Sequence, residues 1–141
     1  MARHAEAEWK GDLKGGSGRV KFGSGTFDGA YSFSSRFEDG VGANPEEKLG
    51  GALSGCFSMA LANSLAQAGF PALSVHTKAE VHLGKDEQGF KITRIDLTVT
   101  GDVPGVPQAT FDELVEKTRT GCIIARALAA TPVTAQATLR S

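Results

Sequence analysis

Two cysteines are the residues of this 141-residue chain with the clearest potential for chemistry. Cys56 lies inside a long apolar stretch with helical spacing, and Cys122 follows Gly121 at the expected end of a later helix. Free cysteines are among the most buried residue types, so packing is the simplest interpretation of Cys56. Cys122 differs, because the backbone dipoles at the start of the next helix favour the thiolate, which is the reactive form of cysteine.

The spacing of the cysteines excludes other kinds of site. There is no Cys-x-x-Cys and no neighbouring histidine at metal-ligand spacing, so we expect neither a metal nor a cofactor. His76 and His82 share a predicted strand face with Lys78 and Glu80, which is typical of a solvated face. In a reducing compartment a permanent disulfide is not expected, so a bridge between the two cysteines would be transient.

Composition excludes several classes of protein. Lys and Arg total 15 against 16 Asp and Glu, the net charge is −1, and no block of like charge occurs. Nothing therefore indicates a nucleic acid or an anionic membrane surface as partner. No apolar run is long enough to cross a bilayer without small polar interruptions, and the first residues lack the apolar core of a signal peptide. We expect a cytoplasmic protein with one domain over residues 1–141.

The stretch 44–69 predicts the central helix of the fold. Asn44 is placed to accept a hydrogen bond from the backbone N–H of Glu47, Glu46 suits the positive end of the helix dipole, and Gly69 supplies the stop. Apolar residues recur at steps of three and four, and alanines widen the apolar face. We therefore expect this helix to be buried nearly all round, which favours a homodimer because one small domain cannot easily enclose it.

The remaining elements are short and are separated by glycine and proline. Their order, strands first, then the long helix, two strands, helices and a strand, predicts an α+β fold with antiparallel sheets. A capping box is expected at Thr110 and Glu113, and a bulge near Thr93. The predicted strands are 5–10, 18–23, 30–37, 72–83, 90–100 and 133–139, and the predicted later helices are 110–121 and 123–130.

Arg36 and Glu46 have ordinary structural explanations. Arg36 lies on the predicted strand 30–37 opposite its aromatic residues, and Glu46 complements the helix dipole. Ten residues of straight helix would separate Glu46 from Cys56 by roughly 15 Å along the axis. The two can share a site only if the helix breaks, with Gly50-Gly51 as the expected place, or if one of them comes from a second subunit.

Four groups of residues together resemble the OsmC/Ohr family, which comprises osmotically inducible protein C and organic hydroperoxide resistance protein, and they resemble its OsmC branch more closely. The resemblance implies a thiol-dependent peroxidase with a preference for organic hydroperoxides. It also implies an intertwined homodimer of α+β subunits with two sites at the subunit interface. The groups are Arg36-Phe37-Glu38, Asn44-Pro45-Glu46-Glu47, Cys56-Phe57-Ser58-Met59-Ala60-Leu61 and Gly121-Cys122.

The resemblance also assigns roles to four residues. Cys56 matches the peroxide-attacking cysteine, Cys122 the resolving cysteine, Arg36 the OsmC-type arginine and Glu46 its glutamate partner. These roles imply a sulfenic acid on Cys56, a Cys56–Cys122 disulfide, and an external dithiol that restores both thiols. The family suggests dihydrolipoyl groups, free or on a lipoylated protein, as that dithiol.

Two features depart from or compete with the family pattern. Ile123 follows the second cysteine where the family commonly has proline, and Arg19, after Gly-Ser-Gly, is a second candidate for the guanidinium. Leu53, Phe57 and Met59 would accommodate an apolar peroxide tail.

Two other functions stay open at this point. The alternative is a non-enzymatic dimer that binds a small molecule and buries both cysteines structurally. A disulfide oxidoreductase acting on proteins is disfavoured by the lack of Cys-x-x-Cys.

Overall fold

The structure of the chain is a computed structural model that describes residues 1–140. Its α+β class is the predicted one, with two three-stranded sheets and four helices in the described residues. Contacts divide the chain into a first unit, Met1–Lys48, and a second unit that begins at Leu49. In order, the elements are β1 Ala5–Lys10, β2 Ser17–Phe22, β3 Asp28–Tyr31, α1 Phe33–Phe37, α2 Pro45–Gln67, β4 Ser74–Asp86, β5 Gly89–Asp102, α3 Gln108–Gly121, α4 Ile123–Ala127 and β6 Val133–Arg140.

The first unit is built on an antiparallel sheet in the order β1-β2-β3. The predicted hairpin of β1 and β2 is confirmed, with Ala5 opposite Phe22 and Lys10 opposite Ser17. Trp9 packs against Tyr31 with ring centroids 5.4 Å apart, an arrangement that aromatic pairs prefer.

The prediction of one strand over 30–37 is wrong beyond Tyr31. The chain turns there into the short helix α1, because Ser32 caps it and accepts a hydrogen bond from the backbone N–H of Ser35, while the Ser35 hydroxyl accepts from the N–H of Ser32. This reciprocal cap satisfies two backbone donors and outweighs the alternating pattern of the side chains. Arg36 therefore lies on a helix and not on a strand face.

Helix α2 has the ends that the sequence predicts. The Asn44 side chain accepts from the backbone N–H of Glu47 at 2.7 Å. At the other end Gly69 has φ +93°, and the N–H groups of Gly69 and Phe70 donate to the carbonyls of Ala66 and Leu65, which is a Schellman motif. The predicted break at Gly50-Gly51 is wrong, because α2 is continuous and the cost of two glycines is met by packing elsewhere along the helix.

The second unit contains the sheet β4-β5-β6. The bulge predicted near Thr93 is confirmed, since His82 pairs with Arg94 and Leu83 pairs with Ile92, which leaves Thr93 as the extra residue. Antiparallel pairing is wrong for the last strand, because β6 runs parallel to β5. Helices α3 and α4 form the crossover that returns the chain to the same end of the sheet.

One stripe of α2 forms the core with the sheet of the second unit. Leu53, Phe57, Leu61 and Leu65 recur every fourth residue with no exposed surface, and they pack in one cluster with Ile95, Leu97 and Val99 of β5. The predicted burial nearly all round does not hold for the single chain, because Met59 is 76% exposed. By length and composition alone α2, and no other helix of residues 1–140, could cross a membrane, but core helices of soluble proteins pass the same test.

Helix α3 begins earlier than predicted. Its N-cap is Pro107 and the cap makes no side-chain hydrogen bond, so the capping box at Thr110 and Glu113 is wrong. Proline fixes the extended backbone that an N-cap requires, and Gln108 then starts the helix. Helix α4 ends at Ala127, three residues before the predicted end.

Candidate active site

The two cysteines are far apart in sequence but meet in the second unit. Cys56 lies in the middle of α2, whereas Cys122 is both the C-cap of α3 and the N-cap of α4. A side-chain hydrogen bond joins Cys122 and Cys56, and both residues are free thiols. Two thiols joined by a hydrogen bond can form a disulfide with little rearrangement.

The electrostatics of the pair are asymmetric. Burial raises the pKa of the Cys122 thiol, of which only 4% is exposed, and the hydrogen bond to Cys56 and the charge of Cys56 raise that pKa further. Backbone N–H groups of Ala125 and Ile124 lower it, as the sequence predicts for the start of a helix, but they do not prevail. The dipoles at the start of α4 favour the thiolate as expected, but burial outweighs them and the pKa of the Cys122 thiol is raised.

Cys56 is the hydrogen-bond acceptor of the site. Its Sγ accepts from the backbone N–H of Ile124 at 3.4 Å. The start of α4 thus contacts both sulfurs. The Ile124 donor could not be predicted from the sequence, because every residue except proline carries a backbone N–H.

The apolar residues expected to surround Cys56 have different environments. Leu53 and Phe57 have no exposed surface and are packed in the core, so they are not free to line a substrate cavity. Met59 is exposed on the other side of α2. Leu53 and Phe57 are therefore core residues and are not available to hold a peroxide tail.

Arg36 and Glu46 form an ion pair within the first unit. Arg36 Nη2 donates to Glu46 Oε1 at 2.8 Å, and Arg36 Nε lies 3.2 and 3.3 Å from the two carboxylate oxygens. The Glu46 side chain is only 12% exposed, and the guanidinium also lies over the Phe37 ring, 5.2 Å from its centroid. A multiply bonded guanidinium of this kind is fixed in orientation and keeps other N–H donors for a ligand.

Helix α2 sets the spacing between the two pairs along one chain. Glu46 is in its first turn and Cys56 is ten residues further, which is about 15 Å along an unbroken helix. Of the two ways in which Glu46 and Cys56 were expected to share a site, the break in the helix is excluded. The remaining way requires a second subunit.

A cavity of about 210 Å³ lies beside Arg36 in the first unit. Its walls are mostly apolar and aromatic, and the polar groups among them come from Ser32 and Arg36. An apolar cavity with a few polar groups is typical of a small-molecule site. The apolar and aromatic lining residues are Trp9, Leu13, Tyr31, Phe33 and Phe37.

The other candidates from the sequence are engaged in surface contacts. Arg19 Nε donates to Asp28 at 2.6 Å on an exposed face of the first unit. In the second unit His82 contacts Asp96 at 2.8 Å, and Asp96 also accepts from Arg94 and Thr134. These hydrogen bonds, that of Thr134 first, lower the pKa of Asp96 to about 2.

A hydrogen-bonded pair of free thiols, one of which also accepts from a backbone N–H, is suited to two-cysteine redox chemistry. The chain belongs to the OsmC-like protein family, whose profile matches residues 38–136. That range contains Glu46 and both cysteines, and Arg36 lies just before it.

Similar proteins agree with this assignment. The chain is 43% identical over 129 residues to Peroxiredoxin OsmC of Escherichia coli, which covers 91% of this chain and 90% of that protein, and it has the same identity and coverage to Peroxiredoxin OsmC of Shigella flexneri. The chain is therefore a cysteine-based peroxidase by class, and its role is a redox role.

Solved structures share the fold at lower identity. An OsmC-like protein of unknown function from Vibrio cholerae superimposes with a TM-score of 0.77 at 18% identity, over 98% of this chain and 99% of the other. An organic hydroperoxide resistance protein from Elizabethkingia anophelis gives 0.74 at 23% identity, over 100% and 98%. The OsmC-like fold predicted from the sequence is confirmed by these likenesses.

Proposed function

We propose that this chain reduces organic hydroperoxides to alcohols, with Cys56 as the attacking thiol and Cys122 as the resolving thiol. The observation that carries the proposal is the hydrogen bond between the two thiols, together with the Ile124 N–H that donates to the Cys56 sulfur. A nucleophilic sulfur accepts hydrogen bonds, and a resolving thiol waits in its protonated form. The contact supports this division of roles.

The proposed reaction has three steps. The Cys56 thiolate attacks the terminal oxygen of the hydroperoxide, the O–O bond breaks, and the alkoxide takes a proton and leaves as alcohol, which leaves Cys56 as sulfenic acid. The Cys122 thiol then attacks the Cys56 sulfur, and water leaves as the disulfide forms. A dithiol reduces the disulfide by two exchange steps and is itself oxidised to a disulfide.

Arg36 and Glu46 complete the proposed site from a second subunit. In the proposed homodimer the Arg36 of one chain approaches the Cys56 of its partner. Arg36 orients the peroxide and stabilises the departing alkoxide, while Glu46 holds the guanidinium in place. The unbroken helix between Glu46 and Cys56 and the exposed apolar residue Met59 on α2 support this arrangement.

Mixed dimers test the composite site. Cys56→Ser and Arg36→Ala chains are each expected to be inactive, but a random mixture in equal amounts should recover about one quarter of wild-type activity, because half of the dimers then contain one intact site. A mixture in which the second chain carries both substitutions is the control and should stay inactive. No recovery in the first mixture would contradict the shared site and leave the role of Cys56 to be judged separately.

The cavity beside Arg36 supports an apolar hydroperoxide as substrate. Aromatic walls and about 210 Å³ of space suit a compact aryl or branched alkyl group better than hydrogen peroxide. Side-by-side turnover of cumene hydroperoxide and hydrogen peroxide tests this preference, and kcat/KM should be at least tenfold higher for the former. Equal or better use of hydrogen peroxide would overturn the preference.

The proposed reductant is a dihydrolipoyl group, free or on a lipoylated protein, in the cytoplasm. A compact dithiol suits a buried disulfide, since only 4% of Cys122 is exposed, and its second thiol completes the exchange intramolecularly. Dihydrolipoamide should sustain turnover, while an equal concentration of thiol from glutathione should sustain it poorly. The reverse order would contradict this choice of reductant.

A further inference from the structure

Lys48 has an environment that the proposed mechanism does not explain. Its Nζ is buried with less than 1 Å² exposed, and within residues 1–140 it has no hydrogen-bond partner. The ammonium lies over two aromatic rings instead, 5.0 Å from the centroid of Phe27 and 5.6 Å from that of Tyr31. All three residues belong to the first unit.

Burying an ammonium without a hydrogen-bond acceptor costs free energy, so other contacts must offset that cost. Cation–π contacts recover part of that cost, and they recover more in a desolvated place than at a surface. The Nζ is closed off from water, which argues against an entering anion as its partner. The two rings are therefore the partners of this charge.

Lys48 lies two residues after Glu46 in the first turn of α2. At 100° per residue, Lys48 projects about 200° around the helix from Glu46, so the two side chains leave the first turn of α2 on opposite sides. Arg36 of α1 binds the Glu46 side, and Phe27 and Tyr31 bind the Lys48 side. The ring of Tyr31 is itself packed on Trp9, so the second anchor is rigid.

We infer that Lys48 is a positioning residue. The contacts of its ammonium with the two rings fix the rotation of the first turn of α2 about the helix axis, and so hold Glu46 in the orientation that fixes Arg36. This inference rests on the proposed function, in which Arg36 meets the peroxide. It assigns no contact with substrate to Lys48 itself.

Two substitutions at Lys48 separate charge from packing. Lys48→Met keeps the length of the side chain and removes the charge, and we expect kcat/KM for cumene hydroperoxide to fall about tenfold, because small misplacements of a catalytic group have effects of this order or larger. Lys48→Arg keeps a cation over the rings and should restore activity to within about threefold of wild type. Lys85→Met is the matched control, since Lys85 lies over the Phe90 ring at 4.6 Å on an exposed hairpin, and it should leave kcat/KM unchanged.

A double-mutant cycle tests whether Lys48 acts through Glu46. In the Glu46→Gln background, Lys48→Met should cause less than a twofold further loss, whereas a general structural role would repeat the tenfold loss. Exchange of the Arg36 Nε–H, followed by NMR, provides a readout without turnover. It should be several-fold faster in Lys48→Met than in wild type and unchanged in Lys85→Met.

The outcomes also separate this inference from the proposed function. If Glu46→Gln and Arg36→Ala keep full activity, the proposed role of the ion pair fails. If those variants lose activity while Lys48→Met keeps it and leaves the Arg36 Nε–H exchange unchanged, only the positioning role of Lys48 is overturned.

Discussion

Ile123→Pro is a substitution whose effect follows directly from the local geometry of the resolving cysteine. Ile123 is the first residue of α4, the position where proline is favoured because its missing N–H is not needed. Cys122 has φ −67° and ψ 153°, which is the extended backbone that a residue before proline requires. The chain therefore already has the conformation that a proline at this position would impose.

The expected gain comes from the unfolded state. Proline at a compatible position stabilises by about 0.4–1 kcal/mol, because the unfolded chain has fewer conformations to lose. The Ile123 side chain is 79% exposed, so its removal sacrifices little apolar burial. For a chain of this length the gain corresponds to a rise in Tm of roughly 1–4 °C. Proline leaves the Ile124 N–H free to donate to Cys56, so activity should stay within about twofold of wild type.

Thermal unfolding under reducing conditions, with turnover measured on the same samples, tests this prediction. Ile123→Ala is the control, because it removes the exposed side chain without fixing φ, and it should lie within about 0.5 kcal/mol of wild type. A loss of more than about 1 kcal/mol in Ile123→Pro alone would show that the backbone around Cys122 is not as described.

Three further predictions concern pH and packing in the second unit. The pKa of the Cys122 thiol is raised above 9.0, so the folded state holds this proton more tightly than the unfolded state does. The resulting stabilisation is present below pH 9.0 and is lost as pH rises through the folded pKa. In urea titrations the stability difference between wild type and Cys122→Ser should therefore shrink as pH rises. Asp96 behaves oppositely, since its pKa is lowered to about 2, and the stability that its carboxylate contributes is present above pH 3.8 and lost as pH falls toward 2. Asp96→Asn should abolish this part of the acid dependence of the unfolding free energy. If that dependence were unchanged in the variant, the role of the Asp96 hydrogen bonds would be refuted. Gly101→Ala should destabilise by about 1–3 kcal/mol in denaturant unfolding, because a Cβ would lie 2.7 Å from the Phe111 ring, while Gly121→Ala, with no atom within 4 Å, should be nearly neutral.

Local signals in the sequence predicted much of the fold. Asn44 and Gly69 each determine an end of α2 through contacts a few residues away, and both are confirmed. Helix α1 was missed because its cap uses Ser32 and Ser35, whose spacing also fits an alternating strand. The direction of β6 could not be read locally, because it depends on where α3 and α4 return the chain.

The candidate site was predictable only in part. Nothing in the spacing of Cys56 and Cys122 indicates a contact, so the pair came from the family resemblance, and the structure adds the hydrogen bond between them. The Arg36–Glu46 pair also came from the family resemblance, because a charged residue on a predicted strand is usually solvated, and the structure adds that the two residues pair within one chain. Lys48 was missed because a lysine in the first turns of a helix normally reaches solvent.

The central claim is that Cys56 and Cys122 are the two thiols of one reaction. The most direct measurement is peptide mapping by mass spectrometry after one equivalent of an alkyl hydroperoxide is added to the fully reduced protein. We expect a disulfide between Cys56 and Cys122 of the same chain, with loss of both free thiols. Persistence of both thiols, or stable oxidation of Cys56 beside an unreacted Cys122, would contradict the account.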